Sequence, residues 1–269
     1  MAAGRAGRYH DGEGISGMAA PGRKALVTGG GSGVGAAIAF ALAESGVPVV
    51  VAGRRLDQLD MVAATHPFII VAQVDVTDET SVEQLFKTIT ADGQAPDIII
   101  ANAGMADSAP AARTSASLWM DTLNVNLTGV FLTFRAALNA MNRKSPGRLI
   151  AISSTAGLKG YPYVAAYCAA KHGVVGLVRA MALEVAKTQI TVNAICPGFT
   201  ETPMLGRSIE KIISSTGMSV EDARKALVGN NPQGRFIQPE EIAANVLWLC
   251  QPGAASINGQ ALAVSGGEI

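Results

Sequence analysis

Seven short apolar runs, most of them rich in β-branched residues, recur along the chain from Lys24 onward: KALVTG (24–29), VPVVVAG (47–53), FIIVAQVD (68–75), PDIIIAN (96–102), GRLIAIS (147–153), QITVNAI (189–195) and QALAVSG (260–266). Most are nearly continuous rather than alternating in apolar character, the pattern of strands covered on both faces. Between them, stretches with helical spacing of apolar positions fall near 33–46, 55–64, 78–92, 115–142, 163–187 and 238–250. This alternation predicts an α/β fold, a doubly wound sheet of about seven parallel strands with helices on both faces and right-handed crossovers. Ligands of such sheets bind beyond the carboxyl ends of the strands, near the switch in strand order. No repeat or linker interrupts the pattern, so residues 23–269 are expected to form a single domain. Residues 1–22, rich in Gly and Ala but without the apolar core of a signal peptide, are expected to be a disordered leader, with Met18 an alternative start.

Composition narrows the partners. Of 269 residues, 49% are hydrophobic, and Lys plus Arg balance Asp plus Glu at 21 each, leaving no basic footprint for nucleic acid or an anionic membrane. The longest apolar runs, such as Ala36 to Ala43, are too short to span a bilayer. Cys168, Cys196 and Cys250 are odd in number and lack C-x-x-C spacing, which suits a reduced, cytoplasmic setting. His10, His66 and His172 are too dispersed for a zinc site, and no metal is expected. Trp119 and Trp248 read as core or lid residues.

Directly after the first run comes TGGGSGVG (28–35), opening a helix. Gly29, Gly33 and Gly35 permit positive φ and close approach of a phosphate, and with Ser32 and Val34 they place it at a helix N-terminus. A tight structural turn is the competing reading. The spacing is G-x-x-x-G-x-G rather than G-x-G-x-x-G, and no G-K-[ST] follows, which argues against a P-loop. Where an NAD-binding Rossmann-type unit places an acid for the ribose, the second strand ends in Gly53-Arg54-Arg55. Guanidinium there favours a 2′-phosphate, hence NADP(H) over NAD(H), unless the pair merely begins a solvated helix.

Tyr167 and Lys171, in YCAAKHG, are four residues apart and project from one helix face. An ammonium beside the phenol, together with an oxidised nicotinamide ring, is expected to lower the tyrosine pKa and fit it for general acid–base work. An incidental surface pair is the alternative. Ser153 and Ser154 end the fifth strand, where a hydroxyl could hold a substrate oxygen.

G-x-x-x-G-x-G after the first strand, ANAG after the fourth, a serine thirteen positions before the tyrosine, and Y-x-x-x-K together resemble the short-chain dehydrogenase/reductase family over residues 24 to 269. The resemblance implies that Ser154 orients a carbonyl or alcohol and that Tyr167 exchanges the proton. It implies that Lys171 holds the nicotinamide ribose while tuning Tyr167, and that Asn126 supports a proton-relay water. For the cofactor it implies contacts from Asp75 and Val76, from Asn102, Ala103 and Gly104, and from Pro197, Gly198 and Thr202. Ala101 stands where the family commonly has a first asparagine.

The stretch of about 199–231 is expected to be a substrate lid. Its Arg207, Lys211, Arg224 and Lys225 either meet the phosphates of an acyl carrier or belong to a solvated amphipathic helix. The tail from Asn231 resembles 3-oxoacyl thioester reductases, so the expected reaction is interconversion of a ketone and a secondary alcohol on a small-molecule or acyl thioester substrate. Dehydrogenation of a sugar, steroid or short hydroxy acid is the alternative. A non-catalytic dinucleotide sensor should have lost Ser154, Tyr167 or Lys171, and an S-adenosylmethionine methyltransferase needs no Y-x-x-x-K. By the same resemblance the long helices pair in a homotetramer or homodimer.

Overall fold

The computed structural model describes residues 23–269; the proposed leader, with His10 and Met18, lies outside the described residues. Strands β1 (Ala25–Thr28), β2 (Val49–Gly53), β3 (Ile69–Gln73), β4 (Ile98–Ala101), β5 (Gly147–Ile152), β6 (Ile190–Pro197) and β7 (Ala261–Val264) form one sheet in the order β3-β2-β1-β4-β5-β6-β7. Every neighbouring pair is parallel. All seven expected strands are present, each within two residues of its expected start, because a strand buried on both faces has no polar position to blur the signal.

Nine α-helices cover the sheet among the described residues: α1 (Gly33–Glu44), α2 (Leu56–Ala63), α3 (Glu79–Ile89), α4 (Ala116–Leu123), α5 (Gly129–Ala140), α6 (Ala165–Val185), α7 (Pro203–Thr216), α8 (Val220–Val228) and α9 (Pro239–Cys250). Leu26, Ile99, Leu149 and Val192 stand in register and face a core shared with α3, α5 and α6. Their neighbours Val27, Ile100 and Ile150 face the opposite core, against α1, α2 and α9. Each fully buried Ile or Leu contributes roughly 1.5–3 kcal/mol, so the alternation along four strands fixes both layers at once. The strand order reverses between β1 and β4, whose last residues, Thr28 and Ala101, are level. The carboxyl ends therefore open as one crevice.

Three features depart from the sequence pattern. The helix expected over 115–142 contains a π-helical turn, Asn124–Thr128, between α4 and α5. The expected lid is two helices, α7 and α8, whose Leu205, Ile209 and Ala223 form a small core with Phe236. Arg224 on α8 pairs with Glu201 at 2.7 Å and lies 4.8 Å over the Phe236 ring, so its charge is engaged within the protein. Third, Arg148 sits 3% exposed inside β5, where its guanidinium donates to the carbonyls of Leu249 and Gln251 and so closes the end of α9.

Candidate active site

The glycine turn links β1 to α1 at the crevice. Gly29 and Gly33 have φ of +65° and +54°, which L-residues other than glycine rarely adopt. Gly35 has no room for a side chain: a Cβ there would overlap the Gly29 carbonyl and stand 2.5 Å from Asn102 Nδ2. That nitrogen donates to the carbonyls of Thr28 and Gly29, both at 3.1 Å, while Thr28 Oγ1 accepts from the backbone N–H groups of Asn102 and Ala103. Asn102 thus holds the β1 and β4 ends together. The first turn of α1 carries no acid, and Ser32 at its N-cap makes no side-chain capping bond, so the helix N–H groups stay available to an anion. The Val34 side chain packs on the core beneath the turn, and Gly33 abuts the methyl of Thr202.

At the end of β2, Arg54 is 71% exposed and reaches Asp75 only at 4.0 Å, leaving its guanidinium accessible. The Thr77 backbone N–H, helped by its hydroxyl and by Arg54, holds the Asp75 carboxyl below the usual range. Arg55 occupies the N-cap of α2 without a capping bond. Val76 is 7% exposed, and its side chain lies in the core, directly against Gly129. The turn is thus chemically suited to a 2′-phosphate, with Asp75 held in its ionised form close by.

Ser154, Tyr167 and Lys171 converge at the end of β5. Ser154 caps a single 3₁₀ turn, its Oγ accepting the Ala156 N–H at 3.1 Å. Tyr167 and Lys171 share one face of α6, with Lys171 Nζ 5.5 Å from the ring centre. The protein's own groups do not lower the tyrosine pKa; the expected lowering rests on an oxidised nicotinamide ring as well as on Lys171. Burial pushes the Tyr167 phenol up to about 12, outweighing a hydrogen bond with Ser154 that acts in the opposite sense. The lysine, 3% exposed, is itself held down to about 8 by burial, and its Nζ donates to the Ile152 carbonyl at 2.9 Å. At both groups desolvation by burial is the largest cause of the shift. The phenol is therefore protonated at neutral pH and able to donate.

Asn126 is fully buried in the π-helical turn. Its amide donates to the carbonyls of Met105 and Thr122 at 2.9 Å, and its Oδ1 accepts the Met105 N–H. The side chain is thus spent on fixing the segment after β4. A Cβ on Gly104 would lie 3.0 Å from Asn126 Oδ1 and 3.9 Å from Lys171 Nζ, so glycine lets the three groups meet. Pro197 ends β6, and the Gly198 N–H donates to Val264, fixing the following loop beside the crevice.

The profile of the short chain dehydrogenase family matches residues 23–212. The chain belongs to that family. D-beta-hydroxybutyrate dehydrogenase of Cupriavidus necator is 35% identical, the match covering 92% of this chain and 98% of that one. The 3-oxoacyl-acyl-carrier-protein reductase FabG of Vibrio harveyi is 37% identical over 91% of this chain and 97% of its own. A crystal structure of an actinorhodin polyketide ketoreductase variant with NADPH superposes with a TM-score of 0.87 at 37% identity, covering 91% of this chain and 97% of that one.

Within this short chain dehydrogenase, sequence reasoning singled out none of Thr155, Lys159, Tyr161 and Glu268, which cluster beside Ser154. Tyr161 Oη contacts Thr155 Oγ1 at 2.7 Å and donates to Glu268 Oε1 at 2.5 Å, and Lys159 Nζ reaches the same carboxylate oxygen at 2.9 Å. The one signal was a charged residue behind the Gly266-Gly267 pair, whose φ of +63° and +92° turn the chain back after β7. Tyr163, with φ of +67°, is the one non-glycine residue in the left-handed region among the described residues. Its carbonyl accepts the Ala109 N–H. No group of His, Cys, Asp or Glu suited to a metal occurs among the described residues, nor any helix long and apolar enough to cross a membrane.

Proposed function

We propose that this chain is an NADP(H)-dependent reductase of a 3-oxoacyl thioester or related ketone. The observation that carries the reading is Tyr167, half-buried beside Ser154, with Lys171 one turn away on the same face of α6 and its ammonium 5.5 Å from the ring. Ser154 and the Tyr167 hydroxyl hold the substrate oxygen, and Tyr167 delivers its proton to that oxygen as it becomes an alkoxide. Lys171 stabilises the phenolate left behind and, with Asn102 and Gly104, lines the cofactor side of the cleft. Asn126 positions the segment after β4 through main-chain contacts. When bound, the nicotinamide supplies the hydride. Gly29, Ser32, Gly33, Val34 and Gly35 form the pyrophosphate turn, Arg54 and Arg55 take the 2′-phosphate, Asp75 and Val76 flank the adenine, and Ala103, Pro197, Gly198 and Thr202 complete the cradle. The NADPH carried by the related ketoreductase supports this choice of cofactor.

The test is loss of NADPH absorbance with a panel of 3-oxoacyl, cyclic, steroid and sugar ketones. Turnover of a 3-oxo ester or thioester is expected; no turnover of any ketone would overturn the reading. The cofactor choice has a separate test. Gly53 has an ordinary φ and no atom closer than 3.9 Å to a built Cβ, so a side chain fits there. Gly53→Asp with Arg54→Leu is expected to move the ratio of kcat/KM for NADPH over NADH toward NADH by tenfold or more, on the order of one charge-assisted hydrogen bond. An unmoved ratio would mean that this turn does not read the phosphate.

The same reading places the protein in the cytoplasm, in keeping with three unpaired cysteines. Trp119, Met120, Phe131 and Leu183 are exposed on α4, α5 and α6, and Trp248 on α9, rather than lying in a core. Five large apolar side chains facing outward support a homotetramer or homodimer built on these helices. Light scattering is expected to give two or four times the chain mass, and a monomer would count against the assembly alone.

A further inference from the structure

Glu268 is a carboxylate enclosed beside Gly198 and, through Tyr161, linked to the turn at Ser154, its side chain 2% exposed. One oxygen, Oε1, takes the Lys159 ammonium at 2.9 Å and the Tyr161 hydroxyl at 2.5 Å. The other, Oε2, has no hydrogen-bond donor among the described residues and lies against Gly198. Lys159 also stands 4.9 Å over the Tyr161 ring, which meets Phe199 edge-on at 6.0 Å. Because Tyr161 also contacts Thr155, next to Ser154, this cluster is continuous with the residues that hold the substrate oxygen.

Lys159 is the one cation of the segment between Ser154 and Tyr167, 37% exposed at its side chain, and its ammonium would attract an anionic substrate entering beside Ser154. Glu268 already occupies it. A ketone bearing a free carboxylate would have to compete with a buried, prepositioned carboxylate for that ammonium, and would bring its charge close to the unpartnered Oε2. An ester, a thioester or a cyclic ketone meets neither obstacle.

On the reading of this chain as a ketone reductase, we infer that Glu268 is a specificity-determining residue: by engaging Lys159 it excludes free 3-oxo acids and leaves the site to neutral 3-oxo esters and thioesters. The selection rests on a repulsive element as much as on attraction to the favoured substrate.

The test compares acetoacetate with its methyl ester in the wild type, Glu268→Gln and Glu268→Gln with Lys159→Gln. Glutamine keeps an acceptor for Tyr161 while releasing the ammonium. In Glu268→Gln, kcat/KM for acetoacetate relative to the ester is expected to rise at least tenfold, and the double variant is expected to return the ratio toward the wild-type value. A purely structural role would lower both substrates together and leave the ratio unmoved, which overturns the inference. Calorimetry of acetoacetate binding in the presence of oxidised cofactor needs no turnover. Its Kd is expected to fall at least tenfold in Glu268→Gln, and equal affinities overturn the inference even if neither ketone is reduced. Wild type inactive on both ketones would count against the reductase reading, with the binding comparison still deciding the role of Glu268. If Glu268→Gln fails to fold, Lys159→Gln alone replaces it: the inference expects the wild-type preference for the ester to persist, and a strengthened preference would show that Lys159 serves the acid.

Discussion

Replacing Tyr167 by Phe is expected to lower kcat for ketone reduction by roughly 10²–10⁴-fold, the range for losing a positioned general acid. The ring, half-buried on α6, stays in place, and only the hydroxyl bonded to Ser154 is lost. NADPH affinity is therefore expected to stay within about twofold, since the glycine turn and the end of β2 are untouched. Stopped-flow reduction together with a cofactor titration separates the two quantities. A kcat within tenfold of wild type would remove Tyr167 from the proton-transfer step. With burial pushing the phenol up to about 12, Tyr167 carries its proton at neutral pH and has it to donate.

Lys171→Met is expected to separate activity from stability. The ammonium is 3% exposed, and burial holds it down to about 8 from an ordinary 10.5. Below pH 8 both the folded and unfolded chains carry this charge, so the folded state bears the whole desolvation cost, on the order of 3 kcal/mol. Between about 8 and 10.5 the folded protein binds fewer protons than the unfolded chain, and wild-type stability rises with pH. Methionine removes the cost and so is expected to raise Tm at pH 7, with the gain fading toward pH 10.5. Activity moves the other way. With no cation to stabilise the phenolate of Tyr167, kcat is expected to drop by about 10²-fold or more, and the alkaline limb near pH 8 of the wild-type profile is expected to disappear. That limb belongs to the Tyr167–Lys171 pair rather than to either group alone. A variant with unchanged kcat, or one less stable at every pH, would contradict this account.

These two residues also show where sequence reasoning stopped. Placing Tyr167 and Lys171 on one helix face required only the spacing of an α-helix, and placing Ser154 beside them required only that β5 end at the same edge of the sheet. The sign of the tyrosine shift depended on how much water the folded site excludes, a property of several elements packed together. The strands were legible because both their faces are apolar. The π-helical turn at Asn126 was not, since Asn-Val-Asn-Leu-Thr carries no break in periodicity that an ordinary helix would lack. Helices α7 and α8 were obscured by polar residues, with only a narrow apolar stripe each. Glu268 was invisible for a topological reason: it reaches Lys159 because β7 pairs with β6, bringing together residues 109 positions apart.

The separate small core of α7 and α8 has a mechanical consequence. Leu205, Ile209, Ala223 and Phe236 pack on one another, as a cluster distinct from the two cores of the sheet. A unit packed on itself is expected to shift as a body without opening the sheet's two cores, which hydrogen exchange would register as faster opening in α7 and α8 than in β1, β4 and β5. The strand ends that carry Ser154 and Asn102 draw their stability from the sheet and owe none of it to that outlying pair of helices.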